Sequence, residues 1–463
     1  MKILLVNPQD EGNLNTRLPK SLNKAQGVYP PLGISYIAAV LEKGGFDVSI
    51  LDCKALNLTS EEIRERMIRE KPSIVGVTVM TSTVMGAFEA AKIAKEAGAV
   101  VVVGGPQLSA FPKETLSYEF IDYGIVGEGE YAMLELAQAL KEVRDVRGIQ
   151  GIVYRQGVDV VVNGERIIED IDELPFPARR LLPMDKYHCV ITESPFTTMI
   201  SSRGCPYKCG FCYKQPADKV VRYRSPKKIV DEMSHVVEKY HVKEVMFYDD
   251  SIAITREHIS GICNEIISRG LKVNWESPVR INNVDGELLA LMRKAGCVRL
   301  RYGVESGDEG ILRLMRKGIS IDLVRMVFGL TRKAGIETFA YFIIGYARET
   351  PQTIRKTIDL AKELDPDWVM FTAATPYPHT HLYELAVEDG LVKGDYWSEF
   401  TLGKRKDRLP YFVAGAEEWV AKAYKEFYLR PKFVFKKIWK LRSIDTFRKY
   451  LRGAYGIIVF QMK

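Results

Sequence analysis

The first 145 residues alternate short apolar runs with longer stretches in which apolar residues recur at helical spacing. The short runs are bounded by glycine, proline or charged residues, so they predict β-strands rather than helices. The predicted strands cover residues 3–6, 48–51, 74–79, 100–103 and 123–126. Strands that alternate with helices in this way predict an open, doubly wound, flavodoxin-like parallel sheet over residues 1–145.

The pattern changes over residues 146–190. Residues 151–154 and 158–162 predict a small hairpin, and three prolines follow closely, so we interpret this stretch as a linker. The alternation then resumes, with strands predicted near residues 197–201, 244–248, 272–275, 298–304, 338–344 and 368–373. Six such units predict a partial (βα)6 TIM-type barrel over residues 191–390, with reactive groups at the C-terminal strand ends. Residues 391–463 are predicted to form a basic, helical C-terminal region.

The composition is that of an ordinary globular protein, with 46% hydrophobic and 27% charged residues in a chain of 463 and a net charge of +7. No stretch reaches the about 20 apolar residues that a membrane-spanning helix needs. The N-terminal apolar run is too short for a signal peptide, and seven cysteines is an odd number. These features predict a cytoplasmic location with reduced thiols and disfavour a disulfide framework.

Three cysteines lie within eight residues directly after the first predicted barrel strand, in the sequence Cys205-Pro-Tyr-Lys-Cys209-Gly-Phe-Cys212. Thiolates are the soft ligands that iron–sulfur clusters and zinc require. A structural zinc site takes four protein ligands, and the fourth would have to come from Cys189, His188 or a more distant residue. Three cysteines on a four-iron cubane instead leave one iron open to a small chelating ligand.

The spacing C-x3-C-x2-C, with an aromatic residue before the last cysteine, resembles the cluster loop of the radical S-adenosylmethionine superfamily. The resemblance extends over about residues 195–385. It implies that S-adenosylmethionine binds the open iron and is cleaved by one electron to a 5′-deoxyadenosyl radical. In this family an electron donor such as ferredoxin or flavodoxin would reduce the cluster.

The same resemblance assigns roles at three later strand ends. Asp249 and Asp250 follow the second barrel strand, where the family contacts the methionine amino group. Glu305 and Ser306 end the fourth strand, in a segment that resembles the one contacting the ribose or carboxylate. Gly345 ends the fifth, in a segment resembling the adenine side, although Tyr-Ala-Arg follows it where Phe-Pro-Gly is commoner. Taken singly, the aspartates could equally cap a helix, and the glycine could only make a turn.

Three loops at strand ends of the N-terminal domain are rich in small residues. None forms G-x-G-x-x-G, so a dinucleotide site is poorly supported. The loops resemble the cobalamin-binding domain that precedes the radical domain in one subgroup, and the resemblance implies cobalamin at these residues: Thr78, Thr81, Ser82, Gly104, Gly105, Pro106, Gln107, Gly127, Glu128 and Gly129. A cofactor-free scaffold is the alternative. A related methylthiolating subgroup is disfavoured because this region has only Cys53, without the three cysteines of a second cluster.

The first histidine of the chain is His188. The N-terminal domain therefore offers no imidazole to cobalt, and we expect cobalamin to bind without a histidine ligand.

Residues 430–452 carry nine lysines or arginines against one aspartate, interleaved with aromatic and aliphatic residues. The pattern is compatible with packing on the barrel, with a membrane-surface helix or with nucleic-acid binding. It resembles the tails of the subgroup that includes hopanoid methylases and the anaerobic cyclase of bacteriochlorophyll synthesis. Packing is favoured, peripheral membrane contact is the second interpretation, and no nucleic-acid partner is expected.

The resemblances together indicate a cobalamin-dependent radical S-adenosylmethionine enzyme. We expect a C-methyltransferase that abstracts hydrogen from an unactivated carbon of an apolar or lipid-like substrate and delivers a methyl group from methylcobalamin. One alternative is a cobalamin-dependent cyclase or rearranging enzyme without methyl transfer. Another is a non-catalytic metal-binding module with a nucleic-acid-binding tail. No catalytic base can be selected from the sequence, because several tyrosines and histidines are equally plausible.

Overall fold

A parallel sheet forms the N-terminal domain in the computed structural model, which describes residues 1–9, 27–433 and 435. Its first strands are β1 (Lys2–Asn7), β2 (Asp47–Asp52), β3 (Ile74–Thr78), β4 (Val100–Gly104) and β5 (Tyr123–Ile125). They lie in the order β2-β1-β3-β4-β5, all parallel. This is the flavodoxin-like order, so the predicted fold class of this domain is confirmed.

Helices cover both faces of this sheet, because successive strand residues point to opposite sides. The helices are α1 (Leu32–Lys43), α2 (Cys53–Leu56), α3 (Ser60–Glu70), α4 (Val84–Glu96), α5 (Pro106–Ala110), α6 (Pro112–Leu116) and α7 (Gly129–Glu142). Ile3 and Leu5 of β1 pack with α1 and α7, whereas Leu4 and Val6 pack with α3 and α4. A capping box at Thr59 begins α3, as its sequence indicates.

The hairpin β6 (Ile152–Gln156) and β7 (Asp159–Val162) forms where the sequence indicates one, but it does not stand apart in a linker. It extends the N-terminal sheet, because β6 pairs antiparallel with β5. Ile152 and Val153 are fully buried between the helices on the two faces. Burial of these side chains explains why the hairpin docks on the open sheet edge rather than remaining exposed.

The second domain is an open half-barrel of six parallel strands, as predicted. The strands are β8 (Phe196–Met199), β11 (Glu244–Phe247), β12 (Asn274–Val279), β13 (Cys297–Glu305), β14 (Glu337–Ile344) and β15 (Trp368–Ala373). They lie in the sequential order β8-β11-β12-β13-β14-β15. A short antiparallel pair, β9 (Ser202–Arg203) and β10 (Arg222–Tyr223), brackets the cysteine loop.

The helices of the half-barrel and of the C-terminal region are α8 (Pro226–Tyr240), α9 (Arg256–Ser268), α10 (Gly286–Lys294), α11 (Glu309–Leu314), α12 (Ile321–Lys333), α13 (Pro351–Leu364), α14 (His381–Glu388), α15 (Tyr396–Thr401) and α16 (Ala416–Tyr428). Most of the basic segment 430–452 lies outside the described residues, so its predicted role stays a prediction. Within the described part of the chain, no helix combines the length and the hydropathy needed to cross a membrane.

A buried ion triad fastens the connecting segment to the half-barrel. Glu232 of α8 is fully buried and accepts hydrogen bonds from Arg179 and Arg224, each at 2.6 Å. Arg179 also donates to Thr197 at 2.9 Å and to the carbonyl of Thr198 at 2.7 Å, both on β8. Burial raises the pKa of Glu232, but the two guanidinium groups outweigh it and leave the pKa below its ordinary value. The triad therefore joins the connecting segment, helix α8 and the residue that follows β10.

We predict that Glu232→Gln destabilises the protein by about 3–5 kcal/mol, because it leaves two buried arginines without their counter-charge. The matched control is Asp231→Asn, which removes the carboxylate next in sequence, one that is only partly buried in its contacts with Lys227 and Arg269. That loss should cost less than about 1 kcal/mol. Urea unfolding followed by circular dichroism measures both, and equal midpoints for the two variants would contradict the prediction.

Candidate active site

The loop that carries Cys205, Cys209 and Cys212 is held by backbone hydrogen bonds. The amide of Cys205 donates to the carbonyl of Asp218 at 2.8 Å, and the amide of Gly210 donates to the carbonyl of Met315 at 2.8 Å. All three thiols are free, Cys205 and Cys209 half-buried and Cys212 exposed. The loop thus presents three thiols from a fixed backbone.

Two features allow the loop its shape. Gly204 has a φ of +90°, and a Cβ there would lie 2.4 Å from the carbonyl oxygen of Val220, so no other residue fits. The ammonium of Lys214 donates to the carbonyls of Cys205 at 2.5 Å and of Tyr207 at 2.6 Å, which curls the loop back on itself.

Two buried polar atoms without hydrogen-bond partners among the described residues lie beside Gly210 of the cysteine loop. A Cβ built on Gly210 would lie 3.0 Å from the hydroxyl of Tyr346 and 3.2 Å from Nδ1 of His381. Neither atom has a hydrogen-bond partner within the residues described by the structure. Hydroxyl and imidazole donors in this position suit the sulfur atoms of an iron–sulfur cluster. The loop and its surroundings therefore fit a [4Fe–4S] cluster.

The geometry does not resemble a single-ion site. Among the described residues, no three histidine, cysteine, aspartate or glutamate side chains converge on the position of one metal ion. A tetrahedral zinc site needs such convergence. A cubane does not, because each cysteine binds a different iron atom.

The adjacent aspartates after β11 have different surroundings. Asp249 is buried and accepts hydrogen bonds from the amide of Ser201 at 2.7 Å, from the Ser201 hydroxyl and from the Ser202 hydroxyl at 2.9 Å. Burial raises its pKa to about 6 although these bonds lower it. Asp250 is exposed beside the cysteine loop, and its carboxylate makes no hydrogen bond within the described part of the chain. Asp249 thus supports the β8 strand end, whereas Asp250 is free to meet a ligand.

Glu305 and Ser306 end β13 in buried positions. Glu305 has a φ of +69° and pairs with Lys317 at 2.7 Å, and the Lys317 ammonium lies 5.7 Å from the ring centroid of Phe211 in the cysteine loop. The hydroxyl of Ser306 lies 3.3 Å from that of Thr357 on α13. The ion pair of Glu305 and Lys317 therefore lies against the cysteine loop, whereas the Ser306 hydroxyl faces helix α13.

The turn at Gly345 depends on a residue that sequence reasoning missed. Glu349 is buried and accepts the amides of Gly345 at 2.6 Å and Tyr346 at 2.9 Å. Burial raises the pKa of Glu349 to about 7, although the two amides lower it. A carboxylate four residues after a strand-end glycine was the available signal in the sequence.

A cavity of about 350 Å³ opens at the C-terminal ends of β1, β3, β4 and β5. Of the ten residues predicted for cobalamin, seven line it: Thr78, Gly104, Gly105, Pro106, Gly127, Glu128 and Gly129. Thr81, Ser82 and Gln107 are not among the lining residues. Gln107 is instead buried, and its side-chain amide donates to the hydroxyl of Thr401 at 2.7 Å. It fixes the C-terminal region to the sheet domain.

The cavity has walls that sequence reasoning did not identify. Apolar residues of the helices, among them Ile34, Ile37 and Met133, form one side. The segment around the cysteine loop forms the other, through Arg203, Gln215, Ala217 and Asp218. The two domains therefore enclose this space together.

The lining suits a large planar cofactor with amide side chains. A Cβ on Gly33 would meet no atom within 4 Å, and one on Gly104 would contact only Ile125, so these glycines leave room along the wall. Backbone groups of the glycine loops can pair with amides, and the apolar side can bury a flat ring. No histidine lies among the lining residues. The lining therefore fits cobalamin, and its binding without a histidine ligand stays a prediction.

Among the described residues the edge strands β8 and β15 do not pair with each other, so the half-barrel does not close. Leu300, Tyr302, Phe342 and Phe371 pack outward against the helices, so the alternate residues face inward. The inward set at the bottom is charged and paired: Arg299 bonds Glu244, Glu276 and Glu337, and Arg301 bonds Glu276. The other inward residues are Phe339, which pairs in register with Arg301 and is buried, and Tyr248, Tyr341, Ile343 and Met370, which are half-buried or exposed.

Two family models match the chain in the two domains. Residues 21–137 match the B12 binding domain, and residues 199–361 match the Radical SAM superfamily. The first match covers the cavity-bearing sheet, and the second begins at the end of β8, ahead of the three cysteines.

Relatives that match most of this chain agree with these matches. An uncharacterized methyltransferase of Pyrococcus horikoshii is 35% identical over 99% of this chain and 98% of its own length. The anaerobic magnesium-protoporphyrin IX monomethyl ester cyclase of Rubrivivax gelatinosus is 32% identical over 77% of this chain and 66% of its own. The hopanoid C-3 methylase of Methylococcus capsulatus is 25% identical over 78% and 70%.

A solved structure has a similar fold. The radical S-adenosylmethionine methyltransferase TsrM from Kitasatospora setae, with cobalamin and a [4Fe–4S] cluster bound, superposes with a TM-score of 0.69 at 21% identity, covering 85% of this chain and 79% of its own. The fold, the cysteine loop and the cavity agree with the family matches and with the relatives. The chain therefore belongs to the radical S-adenosylmethionine enzymes that carry a cobalamin-binding domain, and its cofactors are cobalamin, S-adenosylmethionine and a [4Fe–4S] cluster.

Proposed function

We propose that this enzyme is a C-methyltransferase that acts on an unactivated carbon of an apolar, lipid-like substrate. The observation that carries the proposal is the set of partly exposed aromatic and thioether side chains on the half-barrel's concave face, next to a charged layer that is already paired. The relatives named methyltransferase and hopanoid C-3 methylase support methyl transfer. The cyclase relative favours a second candidate, radical cyclisation without methyl transfer.

The charges on the concave face do not require a polar substrate. Glu276 is fully buried and accepts hydrogen bonds from Arg299 at 2.8 Å and Arg301 at 2.6 Å. The two guanidinium groups hold its pKa below the ordinary value against the effect of burial. Since these charges satisfy one another, the surface left for a substrate is the aromatic and thioether layer next to them.

Aromatic contacts fix the shape of that layer. Tyr29, from the segment before α1, contacts Tyr248 edge-on at a centroid distance of 6.0 Å. Phe339 contacts Tyr341 at 4.7 Å. Edge-to-face pairs of this kind leave flat ring faces available for a large apolar molecule. We propose that these rings exclude water and orient the carbon to be methylated.

When bound, the cofactors supply the radical initiator and the transferable methyl group. The segment 203–218 carries the cysteines and also lines the cobalamin cavity, so we propose that its residues would hold the two cofactors near each other. We propose that Asp250 accepts a hydrogen bond from the amino group of S-adenosylmethionine and that Gly345 lies beside its adenine. We propose that the ion pair of Glu305 and Lys317 forms the part of the site next to the cysteine loop. The electron donor is proposed to be of the ferredoxin or flavodoxin class.

The reaction type is tested by anaerobic turnover with dithionite and S-adenosylmethionine that carries a trideuterated methyl group. Lipid and pigment extracts are supplied as substrates, with a polar metabolite extract as the matched comparison. We expect deoxyadenosine, S-adenosylhomocysteine and a trideuteromethylated product from the apolar extract, detected by mass spectrometry. Deoxyadenosine with an unmethylated, cyclised product would support the second candidate, and label only in the polar extract would contradict the apolar substrate.

We predict that Cys205→Ser, Cys209→Ser and Cys212→Ser each reduce iron well below the about four atoms per chain expected of the wild type and abolish deoxyadenosine formation. Each cysteine is the ligand of one iron, and a hydroxyl replaces a thiolate poorly. Cys53→Ala is the control, because Cys53 is buried in the N-terminal domain. Normal iron content in all three serine variants would refute the cluster site.

We predict that Asp250→Asn raises the KM for S-adenosylmethionine about tenfold while the iron content is unchanged, because a charge-assisted hydrogen bond to the ammonium is lost. Asp249→Asn is the comparison. The Asp249 carboxylate accepts hydrogen bonds from Ser201 and Ser202, so we expect its replacement to lower the unfolding temperature and to change the KM for S-adenosylmethionine little. Steady-state deoxyadenosine formation and thermal unfolding separate the two effects. The opposite pattern would reverse the assignment.

A further inference from the structure

A guanidinium group lies directly against one of the three thiols. Nη1 of Arg280, the residue that follows β12, donates to Sγ of Cys209 at 3.3 Å. The guanidinium carbon lies 3.9 Å from the ring centroid of Tyr207 in the same loop. The Tyr207 hydroxyl donates to Asn283 at 2.7 Å, and the Asn283 amide donates to the carbonyl of Ala253 at 2.7 Å. The arginine is therefore fixed on a braced ring.

Arg280 differs from the other little-exposed arginines of this protein. Each of those forms an ion pair with a carboxylate, as for Arg179, Arg203, Arg222, Arg224, Arg299 and Arg301. Arg280 forms no salt bridge within residues 1–9, 27–433 and 435, although it is half-buried. Its Nε is buried and has no hydrogen-bond partner in the same residues. A cation in such a place needs a counter-charge that the described protein does not supply.

We propose that Arg280 is a positioning residue that raises the reduction potential of the cluster through its hydrogen bond to Cys209. The proposal rests on the cluster assigned to Cys205, Cys209 and Cys212. A cluster with thiolate ligands is anionic, and reduction by one electron from an external low-potential donor adds one more negative charge. The N–H···S bond and the fixed positive charge therefore favour the reduced state more than the oxidised one.

The test is a redox titration of the anaerobically reconstituted protein, with dithionite as reductant and electron spin resonance of the reduced cluster as the readout. The titration contains no S-adenosylmethionine, so binding of its carboxylate cannot affect the result. In Arg280→Gln we expect the ratio of reduced to oxidised cluster at a fixed solution potential to fall about tenfold, which for a one-electron couple is a shift of about 59 mV.

The matched control is Arg316→Gln. Arg316 is exposed and follows Met315, whose carbonyl accepts the amide of Gly210 in the cluster loop. It is a nearby cation screened by solvent, so its loss should change the ratio by less than about twofold. Arg280→Lys keeps the charge but loses the planar contact with Tyr207. We expect it to lower the reduction potential by more than Arg316→Gln does and by less than Arg280→Gln does.

An Arg280→Gln protein with a full cluster and an unchanged potential would overturn the proposal. An unchanged potential together with weaker binding of S-adenosylmethionine would likewise overturn it and assign Arg280 to that ligand. Loss of iron from both the glutamine and the lysine variants would show that Arg280 only maintains the loop, which also overturns it. Absence of iron from the wild type would instead contradict the proposed function itself.

Discussion

The carboxylate of Glu128 joins the two domains at the cobalamin cavity. One oxygen accepts from Arg203 at 2.8 Å and the other from Arg222 at 2.6 Å, while Arg203 also bonds Glu130 at 2.5 Å. Burial raises the pKa of Glu128, but the two arginines outweigh it, and the pKa lies below its ordinary value. Because Arg203 is two residues before Cys205, one charged group fixes both the cobalamin cavity and the start of the cluster loop.

Local patterns were enough to predict much of this arrangement. Apolar runs at strand spacing and the capping box at Thr59 depend on neighbours in sequence, and they gave the strand positions and the fold class. The cysteine spacing is likewise local. The hairpin that extends the N-terminal sheet was assigned to a linker, because docking on a sheet edge depends on burial against distant helices and leaves no local trace.

The residues that could not be predicted act through contacts between distant segments. Glu128 and Arg203 are 75 positions apart, and Arg280 lies 71 positions from Cys209. A charged residue carries no sign in the sequence of which partner it will meet. Asp249 shows the converse: it stands where a ligand contact was expected, but two serines at the end of the adjacent strand satisfy its carboxylate. The sequence indicates that Asp249 follows a strand, but the partners of its side chain depend on how the neighbouring strand packs.

The two faces of the half-barrel strands divide their work in a similar way. The outward residues pack against helices and contribute the hydrophobic stability of the domain. The inward residues gain nothing from that core, so the deepest of them are charged and must pair with one another, as Arg299 does with Glu276. The pairing uses the charges at the bottom of the concave face. The other inward residues are aromatic or aliphatic or carry a thioether, as Tyr341, Ile343 and Met370 do, so one set of strands presents a packed core on its outer side and a different surface on its concave side.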